Sequence, residues 1–259
     1  MTRALVTGAG HRLGRAMAVY LAGRGYDVAV HYASSSKGAD ETVAEVMAKG
    51  QRAVALQADL LDESATEALF AQAVDVLGGP ITCLVNNASI FEYDDITSST
   101  RHSWDRHMES NLRAPFVLTQ AMAAQGLDPL TDSRGEPQAA GLIVNMVDQR
   151  VRKLTPEFMT YTIAKMGLWA LTQTSARALT PAIRVNAIGP GPTLQGGRQS
   201  AEHFAKQRAA TVLQRGSNPD DIVGALGYFL DAPAVTGQLL CVDGGQHLAW
   251  ETPDDVGVE

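Results

Sequence analysis

Seven short apolar runs rich in β-branched residues punctuate the chain, at residues 4–6, 28–30, 54–56, 82–85, 142–147, 184–187 and 239–242. Within each run apolar residues continue without polar alternation, the pattern of a strand covered on both faces. Between them lie longer stretches with helical spacing, such as 13–23, 39–48 and 64–77; in the second, Val43, Val46 and Met47 mark one apolar stripe. Strand, helix and strand in repetition predict a doubly wound α/β fold, a parallel seven-stranded sheet with helices on both faces. No Pro/Gly/Ser-rich linker divides residues 1–259, a length that suits one large α/β domain better than two ordinary ones. Two segments stand outside the alternation. Residues 125–141 carry two prolines and four charged side chains and read as an exposed loop, while residues 191–216 follow the sixth strand and are placed to close over a site as a lid. The end of the chain, residues 250–259, reads as a solvated acidic tail or a contact with a neighbouring subunit.

Composition narrows the function. The 21 basic and 28 acidic side chains leave a formal charge of −7, the wrong sign for a surface that neutralises a phosphate backbone, so no nucleic-acid partner is expected. No run approaches the roughly 20 apolar residues of a membrane span. The N-terminus enters a strand pattern without a charged-then-apolar leader, so no membrane partner and a cytoplasmic location are expected. Cys83 and Cys241 sit in apolar runs and read as buried strand thiols in a reducing compartment. His11, His31, His102, His107, His203 and His247 fall in no metal-ligand spacing, and no metal is expected.

Directly after the first strand comes Thr7-Gly8-Ala9-Gly10-His11-Arg12-Leu13-Gly14, which opens the first helix. A tight glycine turn at that junction aims backbone N–H groups of a helix N-terminus at a pyrophosphate. The context makes this a dinucleotide site, with Gly8, His11, Arg12 and Leu13 against the cofactor. Arg12 stands where a third glycine is common; its cation is placed to reach a phosphate or a bound substrate, the bland alternative being a solvated arginine. The end of the second strand chooses between the nicotinamide cofactors. An acid there would bind the adenosine ribose hydroxyls and repel a 2′-phosphate. Here His31-Tyr32-Ala33-Ser34-Ser35-Ser36-Lys37 brings hydroxyls, an imidazole and an ammonium, with no acid before Asp40. That favours NADP(H), although a serine run before a helix is also N-capping chemistry. Asp59-Leu60 puts a carboxylate where an adenine amino group could donate, or where it caps the helix beginning near Ser64. Asn86-Asn87-Ala88-Ser89, after the fourth strand, lets the backbone pass close to a cofactor.

Tyr161 and Lys165 are four apart and share one helix face. An ammonium beside a phenol stabilises the phenolate and lowers its pKa from about 10, which brings proton exchange nearer neutral pH. Asp148 closes the fifth strand, 13 residues before Tyr161. Asn111 lies within a helical pattern, where an amide needs a partner, and both it and Asp148 can converge on Tyr161.

These residues together resemble the short-chain dehydrogenase/reductase family: the glycine turn after the first strand, Asn86-Asn87-Ala88 after the fourth, Asn111 on the following helix, Tyr161 and Lys165 as YxxxK, and Pro190-Gly191 after the sixth strand. The resemblance covers almost the whole chain. It implies a Rossmann fold, hydride transfer with NADP(H), and a cofactor site that also includes Met146, Pro190 and Gly191. It implies a homotetramer as well, paired through helices beginning near Ser110 and Thr160. Where that family normally has a serine, this chain has Asp148. A carboxylate donates a hydrogen bond only when protonated and otherwise repels a developing alkoxide, so reduction of a ring C=N bond suits it better.

The pteridine reductases share that departure. Arg12, His31-Tyr32, Asn87-Ala88-Ser89-Ile90-Phe91 and Asn145-Met146-Val147-Asp148 are similar to their pattern, whereas Ser34 stands where those enzymes often carry an arginine for the 2′-phosphate. By this resemblance Phe91 stacks one pterin face against the nicotinamide, and Ser89 and Arg12 contact ligand and phosphates. Asp148, Tyr161, Lys165 and Asn111 then form the catalytic group, reducing a pterin or folate-like ring. The alternative is a carbonyl reductase of 3-oxoacyl thioesters or small ketones. A non-catalytic NADP(H) sensor is disfavoured by the intact Asn111, Tyr161 and Lys165.

Overall fold

The computed structural model describes residues 2–197 and 199–250, so the C-terminal tail beyond Trp250 lies outside the described residues. Seven parallel strands form one sheet: β1 (Thr2–Val6), β2 (Tyr26–Tyr32), β3 (Ala53–Gln57), β4 (Cys83–Asn86), β5 (Gly141–Met146), β6 (Ile183–Pro190) and β7 (Leu239–Val242). Their spatial order is β3-β2-β1-β4-β5-β6-β7, with Ala4 paired to Val28 on one side and to Cys83 on the other. The chain therefore reverses its direction of travel between β1 and β4, and a crevice opens there at the carboxyl ends of the strands.

Side-chain alternation along the strands feeds two apolar layers. On one face Val6, Val28 and Val144 pack with Met17 and Leu21 of α1 (Arg12–Gly23), Val46 of α2 (Ser36–Met47) and Phe229 of α8 (Pro219–Asp231). On the other, Leu5, Leu84 and Ile143 meet Leu69 and Phe70 of α3 (Glu63–Leu77) and Met122 of α5 (Ala114–Ala124). The expectation of full burial fails at the edges. β7 has one neighbour only; Leu240 is 37% exposed and Cys241 half-buried, whereas Cys83 on central β4 is fully enclosed.

Two further expectations are corrected. Residues 125–141 hold a short antiparallel hairpin, Leu130–Thr131 with Pro137–Gln138, whose turn is organised by Asp132 accepting from the N–H groups of Arg134 and Glu136. Ser110 does not begin a helix. α4 (Arg101–Met108) runs through a π-turn at Glu109–Arg113 into α5, and Ser110 lies within that turn. By contrast α6 (Met159–Ala178) does begin beside Thr160. Among the described residues no helix is long and apolar enough to cross a membrane.

Candidate active site

The glycine turn is stitched to the segment after β4. Thr7 Oγ1 accepts from the N–H groups of Asn87 (2.9 Å) and Ala88 (3.0 Å), and Asn87 Nδ2 donates to the carbonyls of Thr7 and Gly8. Gly8 has φ +62°, and a Cβ on Gly14 would collide with its carbonyl, so helix and turn approach as closely as main chain allows. Gly38 of α2 presses in the same way on Gly10. His31 Nδ1 accepts from the Gly8 N–H at 3.1 Å, which leaves the proton on Nε2, 3.1 Å from Ala58 O. Burial pushes the imidazole below its ordinary pKa. His31 is therefore a neutral support of the turn and not a cation facing phosphate.

A cavity of about 660 Å³ opens at this end of the sheet. Gly8, His11, Arg12 and Leu13 line it from the glycine turn, His31, Tyr32, Ser34 and Ser35 from β2 and beyond, Asp59 and Leu60 after β3, and Asn87, Ala88 and Ser89 after β4. Two ambiguities resolve here. Asp62, not Asp59, caps α3, accepting from Ser64 N and Ala65 N, while Asp59 takes the Leu61 N–H and stays on the cavity wall. Ser35 is at the start of α2 but makes no side-chain cap bond. Arg106 and Ser110 also line the cavity; they lie about one helix beyond β4, in no motif, and the sequence reading missed them. Met146, Pro190 and Gly191 do not line it: Met146 O accepts from Lys165, and Gly191 packs against Asp243.

Arg12 is the main departure from expectation. Its backbone is left-handed (φ +53°), and its guanidinium donates to Gln195 O at 2.8 Å and Leu194 O at 3.0 Å. It thus ties the glycine turn to residues 191–216, the segment that carries α7 (Ala201–Ala209), a helix without a buried residue.

Beside Ser89 lies the catalytic candidate cluster. Asp148 leaves β5 in extended conformation and accepts from Arg150 N at 2.8 Å with one oxygen and from the Tyr161 hydroxyl at 2.9 Å with the other. Lys165 Nζ donates to Met146 O at 2.7 Å and sits 5.7 Å from the Tyr161 ring centroid. Burial raises Asp148 above the usual carboxylate range and lowers Lys165 to about 8. Tyr161 is pushed well above 10, first by burial and then by the Asp148 charge and hydrogen bond, with Arg150 and the Ser89 hydroxyl opposing. This reverses the expected lowering of the phenol: the ammonium is turned to a carbonyl, and the nearest charge is a carboxylate. At neutral pH the phenol keeps its proton and can give it away.

Asn111 does not converge on Tyr161. From the π-turn its Nδ2 donates to Ile90 O (2.8 Å) and its Oδ1 accepts from Ile90 N (2.9 Å), so it grips the loop carrying Phe91. Phe91 is 44% exposed and meets the Tyr161 ring in a T-shaped contact, centroids 4.7 Å apart. Its face stacks on Phe158, 4.3 Å away and 9° from parallel; Arg150 lies 4.8 Å from the Phe158 centroid. Phe158, left-handed at φ +55°, had no periodic signal in the sequence.

The family model described as enoyl-(acyl carrier protein) reductase matches residues 8–247. The chain belongs to the short-chain dehydrogenase/reductase family. A curated relative of this short-chain reductase is the 3-oxoacyl-[acyl-carrier-protein] reductase FabG of Staphylococcus aureus strain Mu50. It is 31% identical over 250 residues, covering 95% of this chain and 98% of that one. Among solved structures, FolM alternative dihydrofolate reductase 1 from Brucella suis in complex with NADP is 41% identical, with a TM-score of 0.89 and 98% of each chain covered. A blue fluorescent protein from a metagenomic library in complex with NADPH is 33% identical, with a TM-score of 0.84, covering 95% of this chain and 97% of that one.

Proposed function

We propose that this short-chain reductase uses NADPH to reduce a dihydropterin or dihydrofolate-like ring. The observation that carries the reading is the half-buried hydrogen bond from the Tyr161 hydroxyl to Asp148, where the family pattern has a serine. The likeness to FolM supports it. The residues fit the cofactor: the turn at Gly8 and Gly14 admits only main chain, the cavity continues past Asp59, and no carboxylate closes the end of β2.

NADPH supplies the hydride when bound. Tyr161, protonated, delivers a proton to a ring nitrogen, and Asp148, the acceptor of its hydroxyl, has its affinity for a proton raised by burial and relays the proton that replaces it. Lys165 would hold the nicotinamide ribose, and Phe91 offers a flat apolar face to the ring. A second reading, reduction of 3-oxoacyl thioesters, is favoured by the likeness to FabG.

The test is NADPH oxidation with dihydrobiopterin, dihydromonapterin, dihydrofolate and an acetoacetyl thioester. We expect turnover with one or more of the first three and little with the thioester; turnover with the thioester alone overturns the reading. We also propose a homotetramer paired through α5 and α6, where Phe116, Ile163 and Met166 stand exposed. Light scattering should give a mass near four times 27.5 kDa, and Phe116→Glu should lower it; a monomeric wild type rejects the assembly.

A further inference from the structure

Beneath Tyr161 lies a second buried polar group that the mechanism above does not use. His107 on α4 is fully enclosed, and its Nε2 accepts from the Glu92 N–H at 3.1 Å, which puts its proton on Nδ1, 2.7 Å from Thr160 Oγ1. The Thr160 hydroxyl then donates to Asp94 Oδ2, and Asp94 Oδ1 accepts from the Thr160 N–H at 3.1 Å. The bonds run one way, from imidazole to hydroxyl to carboxylate. An enclosed network of this kind is tolerated only when its members satisfy one another, and then it is rigid.

Three elements meet in it. His107 and Asn111 stand four apart along α4 and the π-turn and hold Glu92 and Ile90, the two neighbours of Phe91. Asp94, on the same loop, is hooked to Thr160, the residue before Tyr161. The His107 ring also meets the Tyr161 ring, centroids 6.0 Å apart at 74°.

We infer that His107, Thr160 and Asp94 are positioning residues that register Phe91 and Tyr161 to each other, fixing the gap between the face a substrate rests on and the hydroxyl that protonates it. The inference rests on Tyr161 as proton donor and is indifferent to whether a ring or a carbonyl is reduced. A misplacement of about 1 Å at such a centre costs on the order of 10²-fold in rate.

The test compares Thr160→Val, which keeps the shape and loses the hydroxyl, with Thr160→Ser, which keeps the hydroxyl. NADPH oxidation is followed with dihydrobiopterin and with the acetoacetyl thioester as separate probes, and NADPH affinity by fluorescence titration. Thr160→Val should lose about 10–100-fold in kcat with NADPH affinity unchanged, and Thr160→Ser should restore most of kcat. Should Thr160→Val not fold, Asp94→Asn carries the same expectation of lost kcat and kept NADPH affinity. Unchanged kcat in the Val variant, or kcat and NADPH affinity falling together, makes the network merely structural and overturns the inference. A wild type that reduces neither probe removes the role of Tyr161 and the inference with it. Reduction of the thioester alone overturns only the pterin reading.

Discussion

Tyr161→Phe should lower kcat for ring reduction by about 10²–10⁴-fold, the usual worth of a placed proton donor, while NADPH binds as before. The phenol oxygen touches Asp148 and faces Ser89, whereas the cofactor cavity is walled by the glycine turn and the segments after β2, β3 and β4. Removing one oxygen therefore changes the cavity wall only at Ser89 and leaves the glycine turn and the segments after β2 and β3 untouched. The pH dependence has a definite sign. Asp148 has its pKa raised by burial, so it holds a proton below that raised value and loses it as pH climbs through it. Wild-type kcat/KM should accordingly decline on the alkaline side, at a pH above the ordinary carboxylate range. Steady-state rates between pH 5 and 9 measure both effects; a phenylalanine variant with full activity, or a level wild-type profile, rejects this proton route.

Asp148→Ser should separate the two chemistries. Serine in this place brings a hydroxyl donor where a carboxylate stands 2.9 Å from Tyr161, and it removes the charge that helps to raise the phenol. Reduction of the ring should fall by about 10²-fold or more for want of the acid. Reduction of the acetoacetyl thioester should hold or rise, since a neutral donor stabilises an alkoxide that a carboxylate would repel. Both rates come from one assay on one variant. Ring reduction that survives the substitution would falsify the role given to the acid.

The strands were legible because apolar runs bounded by glycine or polar residues leave little freedom in a parallel sheet; each of the seven overlaps its run, with bounds shifted by one residue or extended by a few. The glycine turn was legible for the same local reason. What escaped depended on contacts without a local signature. The π-turn at Glu109–Arg113 adds one residue to a helical ladder without altering its apolar stripe, so Ser110 looked like a beginning. Spacing placed Tyr161 and Lys165 on one face, but a face is not a distance, and the ammonium is taken by Met146 O. The charge of His31 turned on a backbone N–H of Gly8, which no side-chain pattern records. Phe158 gains its place only from the fold that brings it onto Phe91.

The clasp from Arg12 to Leu194 and Gln195 has an evolutionary side. Both acceptors are main-chain oxygens, present whatever residues occupy positions 194 and 195. Positions 194 and 195 can therefore change their side chains without loss of this contact, whereas on the other side it depends on the codon of a single residue, Arg12.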